Sequence, residues 1–344
     1  MFNELITLEN IFCAWYGFKK GKQNKPDVLM FERNLEDNLF GLYENLTMKT
    51  YHHQGYHTFH IYDPKFRVIN KATVRDRVVH HLVFNYLEQI FQPTFIERSY
   101  ACQRGKGIHR SVQDVRAVLR YASKNYTRVV WSLKMDIKKF FASVDHDVLF
   151  ELIKKKIFDK EILWLLEEII KSFTSPDQIG KGVPIGNLTS QIFSNIYLSE
   201  LDYFVKSNLQ ENFYFRYADD FIFLHPDRQH LERLENKICA FVSNNLKLTV
   251  HPNKIIYRKL GQGIDWLGYV LLPYHSVLRT STKKRMFKKI KRKVDMCNYG
   301  LLSAEKLSSS LESYFGLLKH CNGYKIEQKL RNEFWLNFAF DKNR

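Results

Sequence analysis

Cysteine is sparse in this 344-residue chain, and the five present (Cys13, Cys102, Cys239, Cys297 and Cys321) are scattered, with no CxxC pair. They suggest neither a disulfide framework nor a zinc knuckle, and predict small buried hydrophobes in a reducing compartment. No run of about 18 apolar residues occurs, which argues against a membrane span. The opening MFNELITLENIFCAWYGF lacks the basic, apolar and small-residue order of a secretory signal. A cytoplasmic protein that engages no membrane is the expectation. The 15 glycines and 8 prolines form no linker, and no internal repeat or low-complexity tract occurs. Acidic residues are also short: 36 Asp and Glu face 53 Lys and Arg, a formal charge of +17.

That excess opposes a compact state unless a polyanion offsets it, and nucleic acid is the commonest such partner. Basic residues crowd positions 283–293: Lys283, Lys284, Arg285, Lys288, Lys289, Lys291, Arg292 and Lys293. A solvated helix face is the bland alternative for such a run. With 45% apolar residues the chain should fold, and its length suffices for two or three packed subdomains.

Residues 51–70 alternate and turn like a β-hairpin, with Asp63-Pro64 as punctuation. Thr73 and Asp76 predict a capping box for a helix carrying Val74, Val78, Leu82, Tyr86 and Ile90 on one face. A second helix fits 109–124, a buried strand 129–137, helices 147–157 and 160–173, and a long apolar helix from Leu188 to about Lys206. FYFRYADDFIFL (213–224) predicts two apolar strands broken at Ala218-Asp219-Asp220, with further strands over 254–258 and 265–272 and a basic helical remainder. The pattern is that of an α+β chain built on an antiparallel sheet.

Asp136 and the pair Asp219-Asp220 interrupt otherwise apolar strands. Ionised carboxylates there are expensive to bury without a cation. Neighbouring strand residues point to opposite faces, so Asp219 and Asp220 converge only at a tight turn. A hairpin tip beside the end of another strand would gather three carboxylates, a donor set suited to two Mg²⁺ ions, with Mn²⁺ as a substitute. By itself, Asp-Asp reads better as a polar hairpin turn. Asp145 and Asp147 precede an apolar helical run and predict a cap. His52, His53, His57 and His60 fit no helix face, and exposed or RNA-facing hairpin positions are expected for them. Trp15, Tyr16 and Phe18 among lysines predict either base stacking or packing of an amino-terminal helix.

Tyr217-Ala218-Asp219-Asp220 stands as the YADD box of reverse transcriptases, and MDIKKFFASVDH (135–146) resembles their first catalytic block. The resemblance runs in order from about residue 50 to 325. It implies a right-hand polymerase fold: fingers with an amino-terminal segment (1–130), palm (131–272, with an insertion over about 147–187) and a basic helical thumb (273–344). It implies Asp136, Ile137, Asp219 and Asp220 at the metals. Phe141 would exclude a ribose 2′-hydroxyl, and Arg67 and Arg75 would clasp the incoming dNTP. Lys254, in HPNKIIY, matches the lysine that protonates pyrophosphate. WLGY (266–269) resembles the primer grip, and Lys283, Lys284, Arg285, Lys288, Lys289 and Arg292 would track an RNA/cDNA duplex.

VPIGNLTSQIFSN (183–195) narrows the type. Most reverse transcriptases have glutamine where Ile185 stands, and here Ser190 is followed by Gln191. Both residues would face the dNTP. This pattern is similar to the diversity-generating retroelement reverse transcriptases of bacteria, phages and archaea, as are RSYACQRGKGIHRSV (98–112) and SYFGLLKHCNGY (313–324). That family copies a template-repeat RNA with errors at adenines, and works with the accessory variability determinant, a basic helical homopentamer. Two basic proteins would need RNA or a local acidic patch between them. About seventy residues follow the expected palm, too few for endonuclease, RNase H and splicing extensions together. The rivals are a group II intron, retron or phage-defence reverse transcriptase, and a non-catalytic RNA-binding scaffold.

Overall fold

The computed structural model describes residues 1–63 and 65–338; Pro64 of the expected hairpin turn and 339–344 of the expected thumb lie outside it. The chain opens with helices α1 (Phe2–Leu5), α2 (Leu8–Lys19), α3 (Pro26–Glu32) and α4 (Leu35–Thr47), then the hairpin β1 (Tyr56–Ile61) and β2 (Arg67–Ala72). Next come α5 (Val74–Phe91), α6 (Ile108–Ala122), β3 (Trp131–Asp136), α7 (Phe140–Ser143), α8 (His146–Lys154), α9 (Lys160–Lys171) and α10 (Leu188–Tyr203). Strands β4 (Tyr214–Tyr217) and β5 (Asp220–His225), helix α11 (Arg228–Asn244), and strands β6 (Ile256–Lys259), β7 (Ile264–Trp266), β8 (Tyr269–Leu271) and β9 (Ser276–Leu278) follow. Helices α12 (Thr280–Asn298), α13 (Ala304–Leu318) and α14 (Tyr324–Phe338) complete it. The sheets are β1-β2, β4-β5-β3-β6 and β7-β8-β9, with helices around them, so the expected α+β class holds.

Local chemistry accounts for most element starts. Thr73, Asp145 and Asp159 accept backbone N–H groups at the heads of α5, α8 and α9, each cap worth about 1 kcal/mol. Asp76 does more than its expected part in a cap. Fully buried, it also accepts from the Tyr51 hydroxyl at 2.8 Å and the Gln54 amide at 3.2 Å. It thereby ties the approach to β1 onto α5. The inward face of α5 is wider than the four-residue repeat implied, since Val79, Val83 and Leu87 are buried as well.

The chain divides into two compact units. The first comprises Met1–Gly105, Met135–Phe221 and Leu234–Ile255, the second Lys106–Lys134, Ile222–Arg233 and Ile256–Arg344. In the first, α10 is buried on nearly every side, which is why its sequence shows no amphipathic stripe. Trp15 and Phe18 are buried in α2, against Phe31 and His81, whereas Tyr16 is exposed. In the second, Trp266 Nε1 donates to Ser111 Oγ at 2.9 Å, fastening β7 to α6. Met286, Ile290 and Val294 form the buried stripe of α12.

Three expectations need correcting. Residues 265–272 are not one strand but parts of β7 and β8, joined at Leu267 (φ 48°) and Gly268 (φ 94°); the left-handed pair turns the chain where the apolar run suggested continuity. The His53 side chain is buried, stacked on His80 and Tyr56, because Asp76 offers it a polar neighbour inside. Cys13 and Cys102 are exposed rather than core residues, Cys102 lying in a turn at φ 55°. Among the described residues, no helix is long and apolar enough to cross a membrane.

Candidate active site

Strand β3 delivers Asp136 at its carboxyl end, and the β4–β5 turn delivers Asp219 and Asp220. Ala218 turns that hairpin in the left-handed region (φ 53°), a conformation that costs any residue with a Cβ on the order of 1 kcal/mol. The turn is hung directly on the strand: the Ile137 amide donates to the Asp219 carbonyl at 3.3 Å. On the other side, the His251 amide donates to the Asp136 carbonyl at 2.8 Å, and the Lys138 amide to that of Thr249, also at 2.8 Å. The helical turn Pro252–Lys254 then carries Lys254 Nζ to 2.6 Å from Asp136 Oδ1.

Asp136 is buried and Asp219 half-buried. Burial first, then the neighbouring Asp136 carboxylate, push the Asp219 carboxyl up to about 6; Asp220 adds to the shift, while a backbone hydrogen bond and Lys254 oppose it. Like charges held close in a partly desolvated place are a stress that a hard cation relieves. Among the described residues no group of three or more His, Cys, Asp or Glu side chains is closed into a metal cage. The carboxylates that are together, Asp136 and Asp219 with Asp220 opening β5 beside them, nonetheless have the oxygen donors Mg²⁺ prefers, so the donor set fits. Ile137 is buried and its N–H is spent on Asp219, leaving only its carbonyl oxygen for a metal. The Asp219 shift carries an expected pH dependence. Activity measured at saturating nucleotide and low metal should fall as pH drops through about 6, because the protonated carboxyl loses its charge for the cation. An unchanged rate between pH 7 and pH 5 would refute it.

Beneath the hairpin lies a buried ion pair that sequence reading missed. Arg216 and Asp202 are both wholly enclosed, with Arg216 Nη2 at 2.6 Å from Asp202 Oδ2 and Nε at 2.8 Å from Oδ1. Arg216 Nη1 reaches the Ala218 carbonyl at 3.3 Å and Asn195 Oδ1 at 3.2 Å, and the Tyr214 hydroxyl donates to Asp202 at 2.8 Å. The left-handed turn that places Asp219 is thus held from below by a fixed guanidinium. The signal was present: an arginine inside FYFRY and an aspartate inside an apolar helix are both costly unless paired.

Of the residues expected to face a nucleotide, Arg67 lies in the β1–β2 hairpin and Ile185 is bonded to it. The Asn70 amide donates to the Ile185 carbonyl at 3.1 Å, Asn187 Nδ2 donates to the Asn70 carbonyl at 2.7 Å, and the Ala72 amide donates to Asn187 Oδ1 at 3.1 Å. Asn187 therefore fastens the segment bearing Ile185 along β2. Gly186 between them sits at φ 114°, where a Cβ would stand 2.7 Å from Ile69 Cγ2, so glycine is required. Arg67 is exposed at the start of β2. Arg75 lies over the Tyr51 ring at 4.7 Å and donates to the His52 carbonyl at 3.2 Å. Phe141 packs edge-on against Phe140, and its carbonyl accepts from the Val183 amide at 2.7 Å. Gln191 is exposed in the first turn of α10, next to Ser190, whose hydroxyl donates to the Pro184 carbonyl. Lys283, Lys284, Arg285, Lys288 and Arg292 are exposed on α12, and Lys289 is half-buried.

A carboxylate-tipped hairpin beside a strand end, in an antiparallel sheet covered by helices, defines a nucleotidyl-transfer type of site. The profile of the family described as reverse transcriptase (RNA-dependent DNA polymerase) matches residues 61–271, more than half the chain, and the chain belongs to that family. Protein YkfC of Escherichia coli K12 is 24% identical over 264 residues, covering 64% of this chain and 68% of the relative. The group II intron-encoded protein LtrA of Lactococcus lactis subsp. cremoris is 23% identical over 294 residues, covering 66% of this chain and 47% of the relative. The fold is similar to that of telomerase from Candida albicans, solved with a fragment of telomeric RNA: TM-score 0.51, 14% identity, 92% of this chain and 60% of that one. The right-hand polymerase class of fold follows, while the chain spans only about half the length of the intron-encoded relative.

Proposed function

We propose that this chain is an RNA-directed DNA polymerase of the diversity-generating type, copying a template-repeat RNA into cDNA with errors directed to adenines. The observation that carries the polymerase reading is the pair Asp136 and Asp219, where burial first and the Asp136 carboxylate second raise the Asp219 carboxyl to about 6. Bound there, two Mg²⁺ ions (or Mn²⁺) would activate the primer hydroxyl and neutralise the leaving phosphate. Asp136, Asp219 and Asp220, with the Ile137 carbonyl, would hold them. Lys254, held at 2.6 Å from Asp136, would give a proton to departing pyrophosphate. Phe141 would reject ribose by volume. Arg67 and Arg75 would bind the triphosphate, Arg75 by exchanging its bond to the His52 carbonyl for phosphate oxygens. Gln191, which is exposed, would contact the same nucleotide. The exposed bases of α12 in the thumb segment, 273–344, would follow the RNA/cDNA backbone, with 1–130 and 131–272 as fingers and palm. A homopentameric accessory protein, joined through RNA, is the proposed partner.

The diversity-generating type rests on Ile185. Its carbonyl accepts from Asn70, and the side chain it would offer a nucleotide is apolar where glutamine's is polar. Loss of a polar positioning contact weakens geometric selection of the correct base. Ile185→Gln is expected to lower misincorporation several-fold, read by sequencing cDNA made on an RNA containing all four bases. An unchanged error spectrum would remove Ile185 from the account. Errors spread evenly and at a low rate in the unsubstituted protein would favour the second reading, a group II intron-type enzyme, which the likeness to LtrA supports.

A further inference from the structure

The second unit carries a basic, aromatic trough that none of the polymerase roles uses. A cavity of about 560 Å³ is lined by Gln113, Arg116 and Arg120 of α6, by Asn125 and Tyr126 after it, and by Tyr274 of the β8–β9 turn. It shares Gln113, Arg116 and Tyr274 with a second cavity of about 360 Å³, which runs on to Lys319 and His320 beyond α13. Positions 113, 116, 117 and 120 fall on one helix face, and Ala117 keeps the floor shallow. Among the described residues, no carboxylate lines either cavity.

The trough is built rather than incidental. Arg120 Nε donates to Asn125 Oδ1 at 2.9 Å, which fixes the guanidinium, and Arg116 makes no hydrogen bond or ion pair among the described residues. Lys124, Asn125 and Tyr126 are all left-handed (φ 47°, 59° and 70°), as is Tyr274 (φ 68°). Strain of that kind, in four residues that are not glycine, is retained where the surroundings enforce it and clusters at binding sites. It brings the two rings edge to face at 4.8 Å, with Tyr274 75% exposed. A second sign comes from the smaller cavity: Ser276 is 2% exposed and its hydroxyl has no hydrogen-bond partner among the described residues. A buried hydroxyl without a partner is a polar group that a ligand atom can satisfy.

We propose that this trough binds a single-stranded nucleic acid segment, its phosphates on Arg116, Arg120 and Lys319 and a base on Tyr274. Guanidinium forks suit phosphate, and exposed aromatic faces suit unpaired bases. The strand held there would be RNA or cDNA that is not paired in the active site. This assignment rests on the polymerase reading only for the origin of that strand.

The test titrates the full chain with fluorescent oligouridylate and with oligodeoxythymidylate over a salt series. The double variant Arg116→Gln/Arg120→Gln should weaken binding about tenfold and flatten the log–log salt slope by about 1.4, two phosphates at roughly 0.7 each. Tyr274→Ala should weaken it about tenfold, and Tyr274→Phe should restore it. Whichever oligonucleotide binds more tightly identifies the strand. Extension of a short pre-annealed primer should be unchanged in all three variants. Unchanged affinity and slope, or equal binding of polyglutamate that ignores Tyr274→Ala, would overturn the proposal. If the unsubstituted protein makes no cDNA yet its oligonucleotide binding depends on these residues, the polymerase reading fails and the trough stands.

Discussion

Arg216→Met is expected to cost roughly 3–5 kcal/mol of folding stability, because it leaves the enclosed Asp202 charge without a partner. Losing the guanidinium also removes a donor from the Ala218 carbonyl and from Asn195 Oδ1. Denaturant unfolding would record the loss, which is a large fraction of the stability of an ordinary domain. The double variant Arg216→Met/Asp202→Leu separates folding from positioning. Removing both charges together should recover most of the stability, since a buried pair replaced by apolar groups of similar size is often neutral. Primer extension should stay depressed in that double variant, because the Ala218 carbonyl at the turn that presents Asp219 then loses its guanidinium anchor. Full activity in the refolded double variant would show that the ion pair serves folding alone. If Arg216→Met proved as stable as the parent, the buried pair itself would be in error.

Asp219→Asn is expected to act in opposite directions on activity and stability. Removing one of the proposed metal ligands should cost several kcal/mol of transition-state stabilisation, about a thousandfold in rate. The same change should stabilise the metal-free protein. Asp219 has a folded pKa near 6 against an ordinary value of 3.8, so above pH 6 its ionised form opposes folding. Between pH 4 and pH 6 the folded state holds a proton that the unfolded state has released, so the stability of the metal-free protein falls as pH rises through that window. The amide carries no charge and escapes that penalty, on the order of 3 kcal/mol. Thermal melts of both proteins in a chelator at pH 7 should place the variant higher. Addition of Mg²⁺ should reverse the order, because only the parent gains from the ion. A variant less stable than the parent in chelator would contradict the proposed electrostatic stress.

The carboxylate hairpin was legible in the sequence because charge stood out against apolar runs on both sides: Asp136 after VVWSLKM and Asp219-Asp220 inside FYFRYADDFIFL. The helix starts at Thr73, Asp145 and, unremarked, Asp159 carried their own chemical marks. What stayed hidden was pairing at a distance. Asp202 and Arg216 lie 14 residues apart on a helix and a strand, and nothing in a local pattern says that they meet. The same holds for Asn187, whose side chain continues the hydrogen bonding of β2 from 115 residues away in sequence, and for Lys254 reaching Asp136 across 118. Leu267 misled for a different reason. An apolar residue at positive φ looks like strand continuity, and only the following glycine hinted at the turn between β7 and β8.

The central claim, that Asp136, Asp219 and Asp220 perform metal-dependent DNA synthesis on RNA, is tested most directly by primer extension. Purified protein, a primed RNA template, all four dNTPs and Mg²⁺ would be compared with the same mixture in chelator and with Asp219→Asn. The account predicts DNA product that is RNA-templated, lost in chelator and at least about a thousandfold reduced in the variant. Product of equal yield from Asp219→Asn would contradict it.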